Sequence, residues 1–148
     1  MPFLFTLQGL LRVRELQEKS ELQRLQAMAA QVAAARAEIA SLDAGTEHAR
    51  REVWAEASAG ITGAELHFSV ARESFYVEHR RMLHTKLQEM ERAHQTQMSR
   101  YLKTRQQRET ISHLRDRQLA EYELEQSRRS QRVIDELFLI RQAARKNQ

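Results

Sequence analysis

The histidines and carboxylates are the side chains of this sequence that could bind a metal or carry acid–base catalysis. Three histidines fall in one region, at His79, His84 and His94. Two ligands on one helix must be three or four residues apart to share a face, and intervals of five and ten residues place these histidines on different faces. The carboxylates alternate with arginines, as on the solvated helix face around Glu38 and Glu52. We therefore expect no metal site and no catalytic residue.

Other signatures of small-molecule chemistry are also missing from the sequence. It contains neither a glycine-rich phosphate-binding loop nor the nucleophile elbow of a serine hydrolase. The absence of cysteine removes thiolate ligands and disulfides, and it suits the cytoplasm. The sequence accordingly predicts a protein that is not an enzyme, with no cofactor and no small-molecule ligand.

Arginines near the C-terminus form the most basic part of a chain whose formal net charge is +4. Residues 100–148 carry 12 Arg and Lys against 7 Asp and Glu. Acidic residues interleave with the arginines at 128, 129 and 132, and no aromatic side chain stands within this run to stack on bases. A solvated helix face and a protein interface both remain open, and we expect no nucleic-acid partner.

Two glycines separate the elements that must position these side chains. From Ala64 to the C-terminus the sequence has neither glycine nor proline, and Gly60 and Gly63 are its only closely spaced helix breakers. Gly60 fits a left-handed helix C-cap, and Thr62 with Glu65 fits a capping box. The sequence thus predicts an all-α fold, a long two-helix antiparallel coiled-coil hairpin with unequal arms.

A single hairpin domain is expected to occupy residues 1–148. The first helix is predicted at about 4–58, the turn at 59–63 and the second helix at about 64–145. Helices of these lengths would measure about 80 and 125 Å, so about 30 residues of the second helix would extend past the N-terminus. The segment 133–140 in this extension is too apolar to remain in water. We therefore expect a partner to cover it.

One stripe with alternating spacings of three and four defines the predicted packing face of the first helix. It consists of Leu4, Leu7, Leu11, Arg14, Glu18, Glu21, Leu25, Met28, Val32, Ala35, Ile39, Leu42, Thr46, Ala49 and Val53. The burial of polar residues at 14, 18 and 21 would be partly avoided if the packing face shifted to Val13, Leu16 and Leu22.

Four aromatic residues gather near the predicted turn, at Trp54, Phe68, Phe75 and Tyr76. We favour packing between the two helices for them, because a turn needs local apolar contacts. Four of the nine aromatic residues at one end of a helical pair are more than two helices can bury, so a mixed role is expected. Trp54, Phe75 and Tyr76 are our candidates for contacts with a partner.

Both ends of the sequence resemble the FliJ family of flagellar export proteins. The opening segment FLFTLQGLLRVRE, residues 3–15, is similar to the family's start, which has Phe-x-Leu, a Leu-Leu pair and an arginine. Residues 115–119 and 132–137 resemble its closing segment, in which an arginine-rich turn precedes a basic residue, two apolar residues and Glu-x-Leu. The chain length and the mid-chain turn also match the family.

The resemblance implies a mechanical, non-enzymatic role in flagellum assembly and motility. Members of the family form an antiparallel coiled coil, similar to the central stalk of rotary ATP synthases, that stands in the pore of the hexameric flagellar export ATPase and promotes its assembly and activity. The implied partners are this ATPase, the membrane export gate protein and export chaperones. The implied location is the cytoplasm, with any peripheral attachment to the inner membrane made through these partners.

The resemblance also assigns interface residues. The positions that match the terminal motifs, and that we expect at the ATPase, are Leu7, Leu11, Arg12, Arg14, Arg117, Arg132, Val133 and Leu137. Trp54, Phe75 and Tyr76 near the turn would serve the gate protein or the chaperones. Arg132 stands where many relatives carry lysine, and the apolar segment 138–140 replaces a more polar stretch, which suits a hydrophobic collar in the ring.

Two other functions stay open. A structural coiled-coil adaptor unrelated to export would self-associate through the segment 133–140. The stalk of a virulence-type type III secretion system would have a comparable form. The opening motif favours the flagellar system.

Overall fold

The computed structural model describes residues 2–146, which form two long helices packed against each other, with no strand in this part of the chain. Helix α1 spans Gln8–Ala59 and helix α2 spans Gly63–Lys146, with 52 and 84 residues. The all-α hairpin with unequal arms predicted from the sequence is confirmed. Over the described residues, neither helix has a stretch with the length and apolarity needed to cross a bilayer.

The helices contribute to two compact units, which we describe separately. The hairpin unit consists of residues 19–102, and the terminal unit consists of residues 1–18 with 103–148. Each unit therefore contains one segment of α1 and one segment of α2. The hairpin unit holds the turn, and the terminal unit holds both chain ends.

The turn of the hairpin unit is built from a glycine cap and a capping box. Gly60 has a φ of 97°, which glycine adopts without strain, and its N–H donates to the Ala57 carbonyl at 3.3 Å. The Thr62 N–H donates to Glu65 Oε2 at 2.8 Å, and the Glu65 N–H donates to Thr62 Oγ1 at 3.3 Å. Both features predicted from the sequence are confirmed.

The core of the hairpin unit is a narrow seam. Leu25, Val32 and Ile39 are buried and lie seven residues apart, which is the repeat of a coiled coil. Gln97 of α2 is the buried polar residue of this seam. Its side-chain amide donates to the Glu21 backbone carbonyl at 3.2 Å and also to the Glu21 carboxylate. The polar position at 21 therefore keeps a hydrogen-bond partner inside the packing face.

Ion pairs join α1 to α2 along the edges of this seam. Arg80 donates from Nε and Nη2 to the two carboxylate oxygens of Asp43 at 2.5 and 3.1 Å. This hydrogen-bonded fork raises the pKa of Arg80 above its ordinary value. Because these side chains are exposed, such pairs add little stability. Two further pairs of the same kind are Arg36 with Glu91 and Arg50 with Glu73.

In the terminal unit, α1 begins at Gln8, whereas the sequence predicted a start near Leu4. Residues 2–5 have no regular secondary structure and residues 6–7 form a turn. Phe3 is half-buried and Phe5 is buried, whereas Leu4 is 83% exposed. The Phe3 ring lies 5.7 Å from the Tyr122 ring between centroids, and Phe5 is buried. A helical start would not place both phenylalanine rings toward α2.

The polar positions of the terminal unit also find partners across the seam. Leu11 is the most buried residue there, at 1% exposure. Arg14 Nη1 donates to Gln107 Oε1 at 2.9 Å. Arg108 Nε and Nη2 donate to the Glu18 carboxylate at 2.6 and 3.3 Å, and this hydrogen bonding raises the pKa of Arg108. Buried polar groups cost little once they are paired, which holds for these atoms but not for Arg14 Nε, a buried donor with no hydrogen-bond partner.

The shift of the packing face to Val13, Leu16 and Leu22, considered from the sequence, does not occur at Val13 or Leu16. Val13 and Leu16 are 49% and 68% exposed, whereas Arg14 and Glu18 remain on the packing face. The regular spacing is kept because α2 supplies matching polar side chains at this level.

The capping box generates a stability prediction. We expect Thr62→Ala to lower the free energy of unfolding by about 1 kcal/mol, the typical contribution of a helix N-cap. Thr85→Ala is the control, because Thr85 lies mid-helix and its hydroxyl bonds only the Arg81 carbonyl. Urea unfolding followed by circular dichroism measures both. Equal losses in the two variants would contradict the capping role.

The same box predicts a dependence on pH. Hydrogen bonds from the Thr62 N–H, and then from its hydroxyl, lower the pKa of Glu65. A depressed carboxyl pKa contributes stability that is present above the unfolded-state pKa and is lost as the pH falls through the folded-state pKa. The stability difference between wild type and Glu65→Gln should therefore shrink in acid, as measured by urea unfolding across acidic pH.

The polar seam generates a second stability prediction. Glu18→Ala removes the carboxylate that accepts both hydrogen bonds of the half-buried Arg108 guanidinium and leaves only the longer contact with Glu109 at 3.9 Å. We expect a loss of about 1 to 3 kcal/mol in the free energy of unfolding. Glu121→Ala is the matched control, because it removes only an exposed pair with Arg117. Thermal and urea unfolding measure both variants. A loss for Glu18→Ala no larger than that of the control would contradict the assignment.

Candidate functional site

The C-terminal part of α2 extends beyond the N-terminal segment of the terminal unit. Phe3 contacts Tyr122, and past that level Gln126 is half-buried while residues 127–145 are exposed. We call residues 123–146 the overhang. The extension expected from the unequal arms is present, and it supplies the longest stretch of unpaired helix in the described residues.

The overhang is apolar on more than one side. Six of its apolar side chains are between 54% and 65% exposed: Val133, Ile134, Leu137, Phe138, Leu139 and Ile140. The helical repeat places 133, 137 and 140 on one face, 134 and 138 on a second, and 139 on a third. A helix with apolar residues on several sides is stable only when it is buried. The overhang is therefore shaped for enclosure by a partner.

The first of these faces continues the packing face of α2. Within the terminal unit the half-buried residues of that face include Arg115, Leu119, Tyr122 and Gln126. The residues that follow each of them by 18 positions are Val133, Leu137, Ile140 and Ala144. Since 18 residues make about five helical turns, the two sets share a face. The overhang thus presents the coiled-coil face of α2 without an α1 to cover it.

Six of the eight residues expected at the ATPase are exposed: Leu7, Arg12, Arg117, Arg132, Val133 and Leu137. Leu11 and Arg14 instead lie in the seam, where they hold α1 on α2. Arg117 donates to Glu121 at 3.1 Å, and Arg132 is solvated on the overhang. All eight residues belong to the terminal unit, at its two chain ends.

Sequence reasoning missed an exposed apolar strip on the outer side of α1. Leu10, Val13 and Leu16 lie three residues apart and are all exposed. Val13 and Leu16 of this strip belong, with Leu22, to the alternative packing face considered from the sequence, whereas Leu10 does not. Leu4 adds to the exposed apolar surface at this chain end.

The aromatic residues near the turn do not pack as favoured from the sequence. Trp54, Phe68 and Phe75 are 78%, 68% and 68% exposed, so packing between the helices is wrong for these three. Tyr76 is half-buried, as are Val53 and Ser69. The exposed rings stand one position before or after these packing residues, and side chains one position apart point to different sides of a helix.

A shallow groove of about 200 Å³ lies beside these rings in the hairpin unit. Apolar side chains form most of its wall, including Val53, Trp54, Leu66, Val70 and Tyr76. The Arg50–Glu73 ion pair borders it. The groove can accept apolar side chains of a second protein.

The three histidines considered from the sequence, His79, His84 and His94, lie at separate levels of α2. His79 stacks on Phe75, with the rings 8° from parallel and the centroids 6.1 Å apart. His84 and His94 are half-buried along α2. Within residues 2–146, no group of three His, Cys, Asp or Glu side chains is placed to hold a metal ion.

Comparison with known proteins gives one match. A family model described as "Flagellar FliJ protein" matches residues 3–148, a range that contains both helices, the turn and the overhang. No curated protein and no solved structure matches the chain.

The exposure of Trp54 generates a spectroscopic prediction. Trp54 is the single tryptophan of the chain and is 78% exposed. Its fluorescence therefore reports only on the region around the turn of the hairpin unit, which we call the hairpin end (residues 50–76). We expect acrylamide to quench it nearly as strongly in the folded protein as in urea. A strongly protected indole in the folded protein would contradict the outward placement of this ring.

Proposed function

We propose, since the chain belongs to the flagellar FliJ protein family, that it is the stalk of the flagellar export ATPase. The family is one of structural components of flagellar type III protein export rather than of enzymes. In our proposal the terminal unit enters the hexameric ATPase ring and promotes its assembly and activity. The hairpin end meets the membrane export gate protein and export chaperones.

The exposed apolar overhang is the observation that carries this proposal. Six apolar side chains on several sides of one helix require a partner that surrounds them, and the pore of a ring does so. Val133 and Leu137 would contact apolar loops of the ring. A groove on one side of a globular partner would leave part of this surface in water.

Arginines would set the register of the stalk in the ring. Arg12, Arg117 and Arg132 are exposed in the terminal unit. A guanidinium pairs with a carboxylate through two parallel hydrogen bonds, which fixes orientation as well as adding attraction. We assign these arginines, with Leu7, to the contact with ring carboxylates and loops, and we assign Leu11 and Arg14 to holding α1 in place.

The hairpin end would bind the second group of partners. Trp54 and Phe75 offer exposed rings, and Tyr76 lies in the wall of the adjacent groove. Exposed tryptophan and tyrosine are enriched at the centres of protein interfaces. We therefore propose this surface for the export gate protein or an export chaperone, with the protein held at the cytoplasmic face of the inner membrane through these contacts.

The ATP hydrolysis rate of the organism's flagellar export ATPase tests the proposal. It is measured alone, with the full chain, and with a version that ends at Tyr122. We expect stimulation by the full chain and its loss on truncation, because the truncated protein keeps the α1–α2 pair but lacks the overhang.

Two controls complete the experiment. Circular dichroism must show that the truncated protein remains helical, and Arg81→Glu must stimulate like wild type because Arg81 is an exposed residue of the hairpin unit. Undiminished stimulation by the truncated protein would remove the overhang from the ATPase contact. No stimulation by either form would contradict the stalk function.

A further inference from the structure

We propose that, before the overhang meets another partner, two copies of the chain cover its packing face by pairing their overhangs antiparallel about a two-fold axis. The observation behind this is the uncovered coiled-coil face formed by Val133, Leu137, Ile140 and Ala144. The inference concerns the free protein and does not depend on the export ATPase.

The length of the uncovered face fits a second overhang. The N-terminal segment contacts α2 at Tyr122, and Gln126 is the last half-buried residue of the packing face. From Gln126 to Ala144 the helix measures about 28 Å, and residues 127–144 of it are exposed. An antiparallel copy with its axis at position 135 spans the same range. Val133 then lies opposite Leu137 of the second copy, and Gln126 lies opposite Ala144. Each overhang replaces the α1 segment that the other lacks.

The charges of the overhang complement themselves in this arrangement. Glu123 stands at its start and Arg145 at its end, so reversal of the second helix brings them together. Nearer the axis, Arg132 of one copy faces Glu136 of the other, and symmetry repeats the pair. Among the side chains that the structure describes, residues 2–145, none forms an ion pair with any of these four.

The same register also brings together the apolar side chains that lie beside the seam, Ile134 and Phe138. Ile134 of one copy falls beside Phe138 of the other, on the side of the seam away from Arg132. A two-fold contact of this kind closes on itself and does not propagate into filaments. The pair buries roughly 1,000 Å² in total, below the size of most stable complexes, so we expect a micromolar dissociation constant. Such a dimer can open when a stronger partner encloses the overhang.

Sedimentation equilibrium of the full chain tests this inference. We expect wild type to pass from monomer to dimer over micromolar concentrations and Leu137→Glu to remain monomeric. We expect Arg132→Glu alone and Glu136→Arg alone each to weaken association about tenfold, because each variant places like charges at both symmetry-related sites.

The mixture of the two charge variants is the decisive sample. Arg132→Glu mixed with Glu136→Arg restores opposite charges at both sites, so we expect a heterodimer with nearly wild-type affinity. Arg81→Glu, an equal charge reversal outside the overhang, should dimerise like wild type, and circular dichroism checks that every variant is helical. A wild type that is monomeric throughout, a dimer unaffected by Leu137→Glu, or a mixture no tighter than its components would overturn the proposal.

Discussion

Two packed helices can bury side chains only along the single seam between them, and the other features of this molecule depend on that constraint. In the hairpin unit, buried apolar residues come from every second stripe position, at Leu25, Val32 and Ile39. The intervening positions are half-buried, and within residues 2–146 no third helix or strand packs over them. Most of the apolar surface beyond the seam must therefore either stay in water or be covered by other proteins. The exposed apolar side chains of the overhang and the exposed aromatic rings near the turn both result from this limited capacity for burial.

Polar side chains inside the seam act as markers of register rather than as sources of stability. An apolar stripe alone tolerates a shift of one helix along the other by a full repeat. Arg14 with Gln107, and Glu18 with Arg108, bond only when the two helices of the terminal unit are correctly aligned. In the hairpin unit, Gln97 with Glu21 does the same. A few hydrogen bonds between polar side chains thus determine how the two helices are aligned.

Much of this arrangement could be predicted from the sequence, because its signals are local. Glycine placement and the Thr62–Glu65 spacing fixed the turn, and the spacing of three and four identified the packing face from Leu11 to Val53. Placement that depends on a second helix could not be predicted in this way. Arg14 and Glu18 stay in the seam because α2 offers partners. The residues before Gln8 are not helical, and Phe3 contacts Tyr122 of α2 while Phe5 is buried. The outward rings near the turn likewise depend on which neighbours fill the seam.

The seven-residue repeat of the hairpin unit has a consequence for evolution. Leu25, Val32 and Ile39 have equivalent roles, since each occupies the same heptad position in one of three successive repeats. Insertion or deletion of seven residues in α1, matched by seven in α2, would preserve every packing position on both sides of the change. Chain length in such a protein is therefore free to vary in heptad steps, whereas an unmatched or fractional change would misalign the ion pairs that join the helices.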